Sequence, residues 1–350
     1  MSETEGKKDI NSLTLDELKA EMEKLNEKPY RAKQLYEWLH IKLAGDYEEM
    51  TNIPKSLRDK CRENFTLTTL KTIQVQESQK DGTKKFLFGL PDGNLVESVL
   101  MRYKYGNSVC ISSQVGCRMG CAFCASAIGG IERNLLPSEM LGQIYSITLF
   151  IGERVSNVVV MGTGEPLDNY DNLLKFIKIL TDENGLHISQ RNVTVSTCGI
   201  VPMMRQLAKE RLNITLALSL HAATDEKRQR LMPIANKYSV EELMESCTYY
   251  FEMTGRRITF EYSLIRGVND TAEDIEALIK LIKGQNCHIN LIPVNPVKER
   301  SYAGSDKAAA QAFKNNLEKN GINVTIRREL GRDIDGACGQ LRRKILTKQS

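Results

Sequence analysis

Ser156-Asn-Val-Val-Val-Met161 runs straight into Gly162-Thr-Gly164-Glu165-Pro166, a short β-rich stretch closed by a glycine turn. Such a run is too brief for a helix and suits one buried strand. Similar runs recur at Asn192–Thr197, Ile214–Leu220, Arg257–Tyr262, His288–Ile292 and Asn323–Arg327. Segments of helical periodicity separate them, for instance Leu173–Leu180, Glu241–Tyr250, Ala272–Leu281 and Ala308–Asn320. Nearly continuous apolar strands alternating with helices predict a parallel α/β fold buried on both faces. With Ser108–Ser113 as a first strand, six or seven units are present, which suggests a partial (β/α)6-type barrel more than a doubly wound sheet.

Outward from this core, residues 14–64 read as helices, with Thr14 as a cap before Asp16-Glu17 and with Pro29 and Pro54 opening later segments. From Leu67 the texture alternates, and Thr68–Glu77, Lys84–Leu90, Asn94–Arg102 and Ser108–Ser113 read as strands. Pro91-Asp92-Gly93-Asn94 and Tyr105-Gly106-Asn107 supply turns. The expected organisation is an N-terminal helical accessory domain over 1–75, a β-meander extension over 76–107, a catalytic barrel over 108–345 and a tail over 346–350.

Across 350 residues, 41% hydrophobic and 26% charged content is that of an ordinary soluble domain and excludes disorder, collagen and coiled coil. The most apolar stretch, Ile144 to Ile151, is far short of the ~20 residues of a membrane span. Met1-Ser-Glu-Thr-Glu is acidic where a signal peptide is basic. A cytoplasmic protein without membrane association is expected. The whole net charge of +4 lies in residues 323–350, which carry seven Lys/Arg against three Asp/Glu.

Of nine cysteines, three form Cys117-Arg-Met-Gly-Cys121-Ala-Phe-Cys124. Structural zinc takes four ligands, so a zinc reading needs a distant partner such as His221. A cubane iron–sulfur cluster held by three thiolates keeps one iron open for a substrate. Cys61, Cys198, Cys247 and Cys287 lack partner spacing and read as packing residues.

This C-x3-C-x2-C motif after a first strand, with an aromatic before its last cysteine, resembles that of radical S-adenosylmethionine enzymes. Gly162-Thr-Gly164-Glu165-Pro166, Ser219-Leu220-His221, Asn295-Pro296 and Gly331-Arg-Asp-Ile-Asp-Gly-Ala-Cys338-Gly-Gln-Leu narrow the resemblance to the RlmN/Cfr family, over about residues 14 to 345. Two residues depart from the family's habit, Thr163 for Met and Gly336 for Ala. The resemblance implies a radical SAM barrel that methylates C2 of adenosine in 23S rRNA and tRNA. It implies a [4Fe-4S] cluster on Cys117, Cys121 and Cys124, with S-adenosylmethionine contacted by Gly164, Glu165, Ser196, Ser219, Leu220, His221 and Asn295. It further implies that Cys338 carries the methyl group and that Cys110 releases the product through a transient Cys110–Cys338 disulfide. Glu97, in Asn-Leu-Val-Glu-Ser-Val-Leu, matches the proton acceptor.

This division of labour has a chemical reason. C2 of adenine lies between two ring nitrogens and is no nucleophile, whereas a thiolate is a good one. RNA binding is less visible, with Lys28, Arg31 and Lys33 beside Tyr30 forming one candidate basic edge. The implied partners are 23S rRNA, tRNA and an electron donor such as flavodoxin or ferredoxin, for a monomeric enzyme. Two alternatives stand: Cfr-type methylation at C8, and a zinc-stabilised RNA-binding protein without catalysis.

Overall fold

The structure, a computed structural model, describes residues 6–294, 302–334 and 339–349. One ten-stranded sheet organises it. Lys71–Glu77, Lys84–Gly89, Leu95–Tyr103 and Gly106–Ile111 form an antiparallel meander. The far edge of Gly106–Ile111 pairs in parallel with Val155–Val160. Val193–Thr197, Thr215–Ser219, Ile258–Leu264, Cys287–Pro293 and Val324–Ile326 then follow in chain order, each parallel to the last. Seven parallel strands joined by helical crossovers therefore advance in one direction. Right-handed crossovers put all such helices on one face, leaving the other face open. Among the described residues the two outer strands do not pair with each other, so the sheet is an unclosed barrel, as expected.

The strands are not apolar on both faces, which corrects that part of the reading. Val193, Val195, Leu216, Leu218, Phe260 and Tyr262 are buried in the main core. Their alternates Ser196, Ser219, Glu261 and Ser263 face a cavity. Small polar residues between β-branched neighbours merely look like strand filler in sequence, but the period of two gives them a face of their own.

The N-terminal helices are Leu15–Lys24, Tyr30–His40 and Lys55–Asn64. Thr14 caps the first in a capping box, its backbone N–H donating to Glu17 Oε2 at 2.8 Å. These helices share one continuous hydrophobic core with the barrel. The joint is the helix Pro137–Ile151, which no helical pattern in the sequence revealed. Its Tyr145 hydroxyl lies 2.7 Å from His40 Nδ1, and its Ser138 hydroxyl donates to Asp9 at 2.8 Å. Covered by the sheet on one side and the N-terminal helices on the other, it is apolar nearly all round. No helix among the described residues is long and apolar enough to cross a membrane.

Burial pushes the pKa of His40 down to about 3, and that of His221 equally. Each imidazole is neutral when folded and gains a proton on unfolding below its ordinary value of 6.5. Stability present above that pH should therefore fall as pH drops toward 3. Thermal unfolding of His40→Asn between pH 7 and about 5 should show a shallower decline than the unaltered protein. An identical slope would mean that His40 is not buried in its neutral form.

Candidate active site

The cysteine loop begins where the first parallel strand ends. Gln114–Gly116 pairs with Ile131–Asn134, and this small ladder lifts residues 117–130 above the open face. Gly116 adopts φ +79°, and a Cβ there would lie 2.1 Å from the Gly130 carbonyl oxygen. That position demands glycine. The Cys117 N–H donates to Gly130 O at 2.8 Å, and Ala122 N–H to Leu231 O at 2.8 Å. Arg118 pairs with Asp168 and steadies the loop from outside.

Burial, with the Cys124 thiol adding to it, pushes Cys117 up to about 11. Burial raises Cys121 as well, and the Cys124 and Cys117 sulfurs reinforce it. The three thiols oppose one another's ionisation, and a bound cationic group would let them ionise together. Among the described residues no three His, Cys, Asp or Glu side chains are gathered as one metal ion requires. A polynuclear group with each thiolate on its own iron fits this donor set better than zinc does.

Beside the loop, the turn after Val155–Val160 docks against the end of the first parallel strand. Gly162 N–H donates to Ile111 O at 2.9 Å, while Thr163 O accepts from Ser113 at 2.9 Å and from Gln114 at 3.1 Å. A Cβ on Gly162 would stand 2.6 Å from Ile111 O, and one on Gly164 2.7 Å from Gln114 Cβ. Both glycines thus permit backbone contact. Glu165 is buried, and its carboxylate accepts from Leu167 N–H at 3.0 Å and Cys198 N–H at 2.7 Å. Burial raises its pKa despite these bonds.

A cavity of about 340 Å³ opens over the polar strand face. Ser196, Ser219 and His221 line it with Cys110, Phe123 and Cys124. Gly164, Glu165 and Leu220 do not line it; the Leu220 side chain is buried in the main core. His221 holds φ +57°, and its Nδ1 accepts from Ser263 N–H at 3.0 Å. That bond places any ring proton on Nε2. Its ring meets Phe123 edge-on at 5.0 Å. Two larger hollows of about 520 Å³ each lie elsewhere and contain no cysteine.

Cys110 is buried at the cavity wall, opposite Val99 in register. Glu97, on the same strand as Val99, is not an idle base in this structure. Its carboxylate meets Lys85 Nζ at 2.9 Å and accepts from Gly339 N–H at 2.7 Å and Arg342 N–H at 2.5 Å. Asp81 takes the Gly331 N–H at 2.9 Å, and Asp333 takes the Ser78 hydroxyl at 2.6 Å. The meander therefore grips the C-terminal chain on both sides of residues 335–338. Cys338 and Asn295 lie outside the described residues.

Two site residues escaped the sequence reading. Lys85 sits in a Lys84-Lys85 pair that resembles a solvated strand edge, and Arg228 lies in a helix rich in charge. Arg228 is fully buried, donating to Cys198 O at 2.6 Å and Leu220 O at 3.2 Å, where two strands end. No local pattern separates a buried charge from an exposed one in such company.

The chain is similar to known proteins over nearly its full length. Residues 111–282 match the radical SAM superfamily, and residues 8–67 the ribosomal RNA large subunit methyltransferase N-terminal domain. A probable dual-specificity RNA methyltransferase RlmN from Lachnospira eligens is 64% identical, covering 97% of each chain. One of the same name from Lachnoclostridium phytofermentans is 60% identical, over 97% of this chain and 96% of that protein. The crystal structure of a radical SAM methyltransferase from Sphaerobacter thermophilus superimposes with a TM-score of 0.91 at 40% identity, covering 95% of this chain and 98% of that one.

Gly116→Ala should strain the loop by at least about 1–3 kcal/mol and stop its ladder from closing. After anaerobic reconstitution, iron analysis should find most of the metal lost while far-ultraviolet circular dichroism is retained. Full iron loading would show that the loop tolerates a side chain at its base.

Proposed function

The chain belongs to the radical SAM superfamily and, within it, to the RlmN family of RNA methyltransferases, and we propose that it methylates C2 of adenosine in two RNAs. These are 23S rRNA, at the peptidyl transferase centre, and tRNA, at the adenosine 3′ of the anticodon. The observation that carries this reading is the grip of the meander on the C-terminal chain. Gly339, next after Cys338 in sequence, is held by Glu97, while Cys110 lines the cavity beside the cysteine loop. These two contacts support a pairing of Cys110 with a cysteine more than two hundred residues away in sequence.

A [4Fe-4S] cluster and S-adenosylmethionine are the enzyme's cofactors, and when bound they supply a 5′-deoxyadenosyl radical. Cys117, Cys121 and Cys124 would hold the cluster through three thiolates, leaving one iron without a protein ligand. Ser196, Ser219 and His221 stand on the cavity wall where S-adenosylmethionine would lie, with Asn295 as a further contact. Gly164 and Glu165 act on it through the turn they shape, since the Glu165 carboxylate is engaged with backbone N–H groups. Leu220 contributes its backbone, its side chain being in the core.

Cys338 would accept a methyl group from one S-adenosylmethionine, its thiolate attacking the methyl carbon with the thioether S-adenosylhomocysteine as the leaving group. That methyl group would give a hydrogen atom to the deoxyadenosyl radical and its carbon would bond to C2; the adduct would return its unpaired electron to the cluster, while Glu97 receives the C2 proton. The Cys110 thiolate would then attack the Cys338 sulfur, leaving a disulfide and releasing the methylene carbon with the bonding electron pair, which takes up one proton to become the methyl group. To act as a base, Glu97 must loosen its bonds to Gly339 and Arg342, so proton transfer and release of the segment are linked.

Residues 1–75 are the proposed RNA-contacting module, 76–107 the extension that holds the C-terminal segment, 108–345 the catalytic barrel and 346–350 a tail. On the module Tyr30 is exposed, with the Arg31 guanidinium 4.9 Å from its ring centre, a pairing suited to stacking on an unpaired base. A monomer in the cytoplasm, reduced by flavodoxin or ferredoxin, completes the reading.

Nucleoside mass spectrometry of rRNA and tRNA from cells with and without the gene should find 2-methyladenosine only with it. Finding 8-methyladenosine instead would move the chain to the Cfr-type reaction.

The two cysteines should also separate by step. Cys110→Ala should still methylate Cys338 and attack the base, leaving a covalent protein–RNA adduct on a denaturing gel that nuclease removes. Cys338→Ala and the double variant should give none. Free methylated RNA from both single variants would reject these assignments.

A further inference from the structure

Lys85 lies on the strand Lys84–Gly89, where alternation sends its neighbour Lys84 outward to pair with Glu77. Lys85 itself points inward and is wholly buried, opposite Val99 and two pairs from Glu97 on the same face. Its ammonium is 2.9 Å from Glu97 Oε2. That same oxygen accepts from Gly339 N–H at 2.7 Å, and Oε1 accepts from Arg342 N–H at 2.5 Å. Glu97 therefore caps the helix Gln340–Gln349 from a different element, satisfying N–H groups that the helix leaves unpaired.

Gly339 has no slack. It adopts φ +80°, and a Cβ would lie 2.9 Å from Ser126 Oγ and 3.0 Å from Ser126 N. Ser126 is two residues beyond Cys124. The Glu97 carboxylate thus presses the chain immediately after Cys338 against the cysteine loop. A carboxylate taken out of water and offered only backbone N–H groups keeps an uncompensated charge, which favours moving it back to water. The ammonium in contact with it removes that drive.

We propose that Lys85 is a positioning residue for the methyl-carrying step: by neutralising Glu97 in place, it keeps the chain after Cys338 docked against the cysteine loop. The proposal rests on the reading of Cys338 as methyl carrier only for its consequence, not for the docking itself.

The test compares full-length, cluster-reconstituted Lys85→Met, Lys85→Arg and Glu97→Gln with the unaltered protein. Hydrogen exchange of the Gly339–Arg342 amides reads the docking, and peptide mass spectrometry of protein isolated from cells reads methylation of Cys338. In Lys85→Met these amides should exchange about tenfold faster or more, the equivalent of one charge-assisted hydrogen bond. Cys338 methylation should fall in parallel, while iron content and exchange in the barrel strands stay unchanged. Lys85→Arg, which keeps the charge, should recover most of both. In the Glu97→Gln background, which leaves no carboxylate to neutralise, Lys85→Met should add no further loss of protection at Gly339–Arg342, and a further loss there would overturn the proposal.

Unchanged exchange at Gly339–Arg342 in Lys85→Met, or an arginine variant no better than the methionine one, overturns the proposal. Cys338 that is unmethylated even in the unaltered protein would defeat the functional reading instead, and the exchange comparison would still decide the docking.

Discussion

The strand Gly106–Ile111 is the constraint on which the rest depends. It pairs antiparallel with Leu95–Tyr103 on one edge and parallel with Val155–Val160 on the other, so the meander and the barrel meet in one sheet. A one-residue slip would turn Cys110 from the cavity into the helix layer and carry Val109 or Ile111 into the cavity. The strand's end is locked as well. The Gln143 amide accepts from the Ser98 hydroxyl at 2.7 Å and Ser112 N–H at 2.8 Å, and donates to Ser112 O at 3.0 Å and Glu139 O at 3.2 Å. All four hydrogen-bonding positions of one buried amide thus fix where the cysteine loop begins. Because Gln143 belongs to the helix that the N-terminal module covers, that module braces the site from behind.

On the open face the chemistry of burial changes character. The helix side of each strand excludes water with apolar contacts, whereas polar groups at the strand ends are buried with most of their hydrogen-bonding positions taken, Arg228 Nη1 being an exception. Arg228 satisfies two carbonyls where strands end, Glu165 takes two N–H groups, and His221 spends Nδ1 on Ser263. Such groups cost little once paired and would be expensive unpaired. The result is a rigid polar floor whose geometry does not depend on a bound ligand.

Much of this was legible from local pattern. The parallel strands and their turns announced themselves because short β-rich runs closed by glycine have few other uses, and the cysteine spacing spoke for itself. What stayed hidden shares one cause, which is that the environment and not the residue carries the signal. Pro137–Ile151 is covered on two sides, so it shows no polar stripe to set its period. Glu261 and Ser263 read as parts of an apolar strand until the sheet gives them a common face with Ser196 and Ser219. Lys85 looks like its half-buried neighbour Lys84 although the two side chains point to opposite faces, and Glu97 was legible as a carboxylate in an apolar strand but not as a helix cap.

The manner in which the C-terminal segment is held follows from what it must do. Ser78 reaches Asp333 across 255 residues of chain, yet closure entropy grows only with the logarithm of loop length, so distance in sequence adds little to the cost. The described anchors on both sides of residues 335–338 are polar bonds: Asp81 to Gly331, Asp333 to Ser78 and Gln79, and Glu97 to Gly339 and Arg342. Polar bonds of this kind are directional and can be exchanged for water one at a time, whereas a buried apolar face must be given up in one step. On the proposed reaction, Cys338 would meet a sulfonium, a nucleobase and a second cysteine in turn, and such a residue needs accurate placement at each stop and a low barrier between stops. Anchoring the chain beside it by ionic caps, while the barrel beneath is locked by packing, meets both needs within one fold.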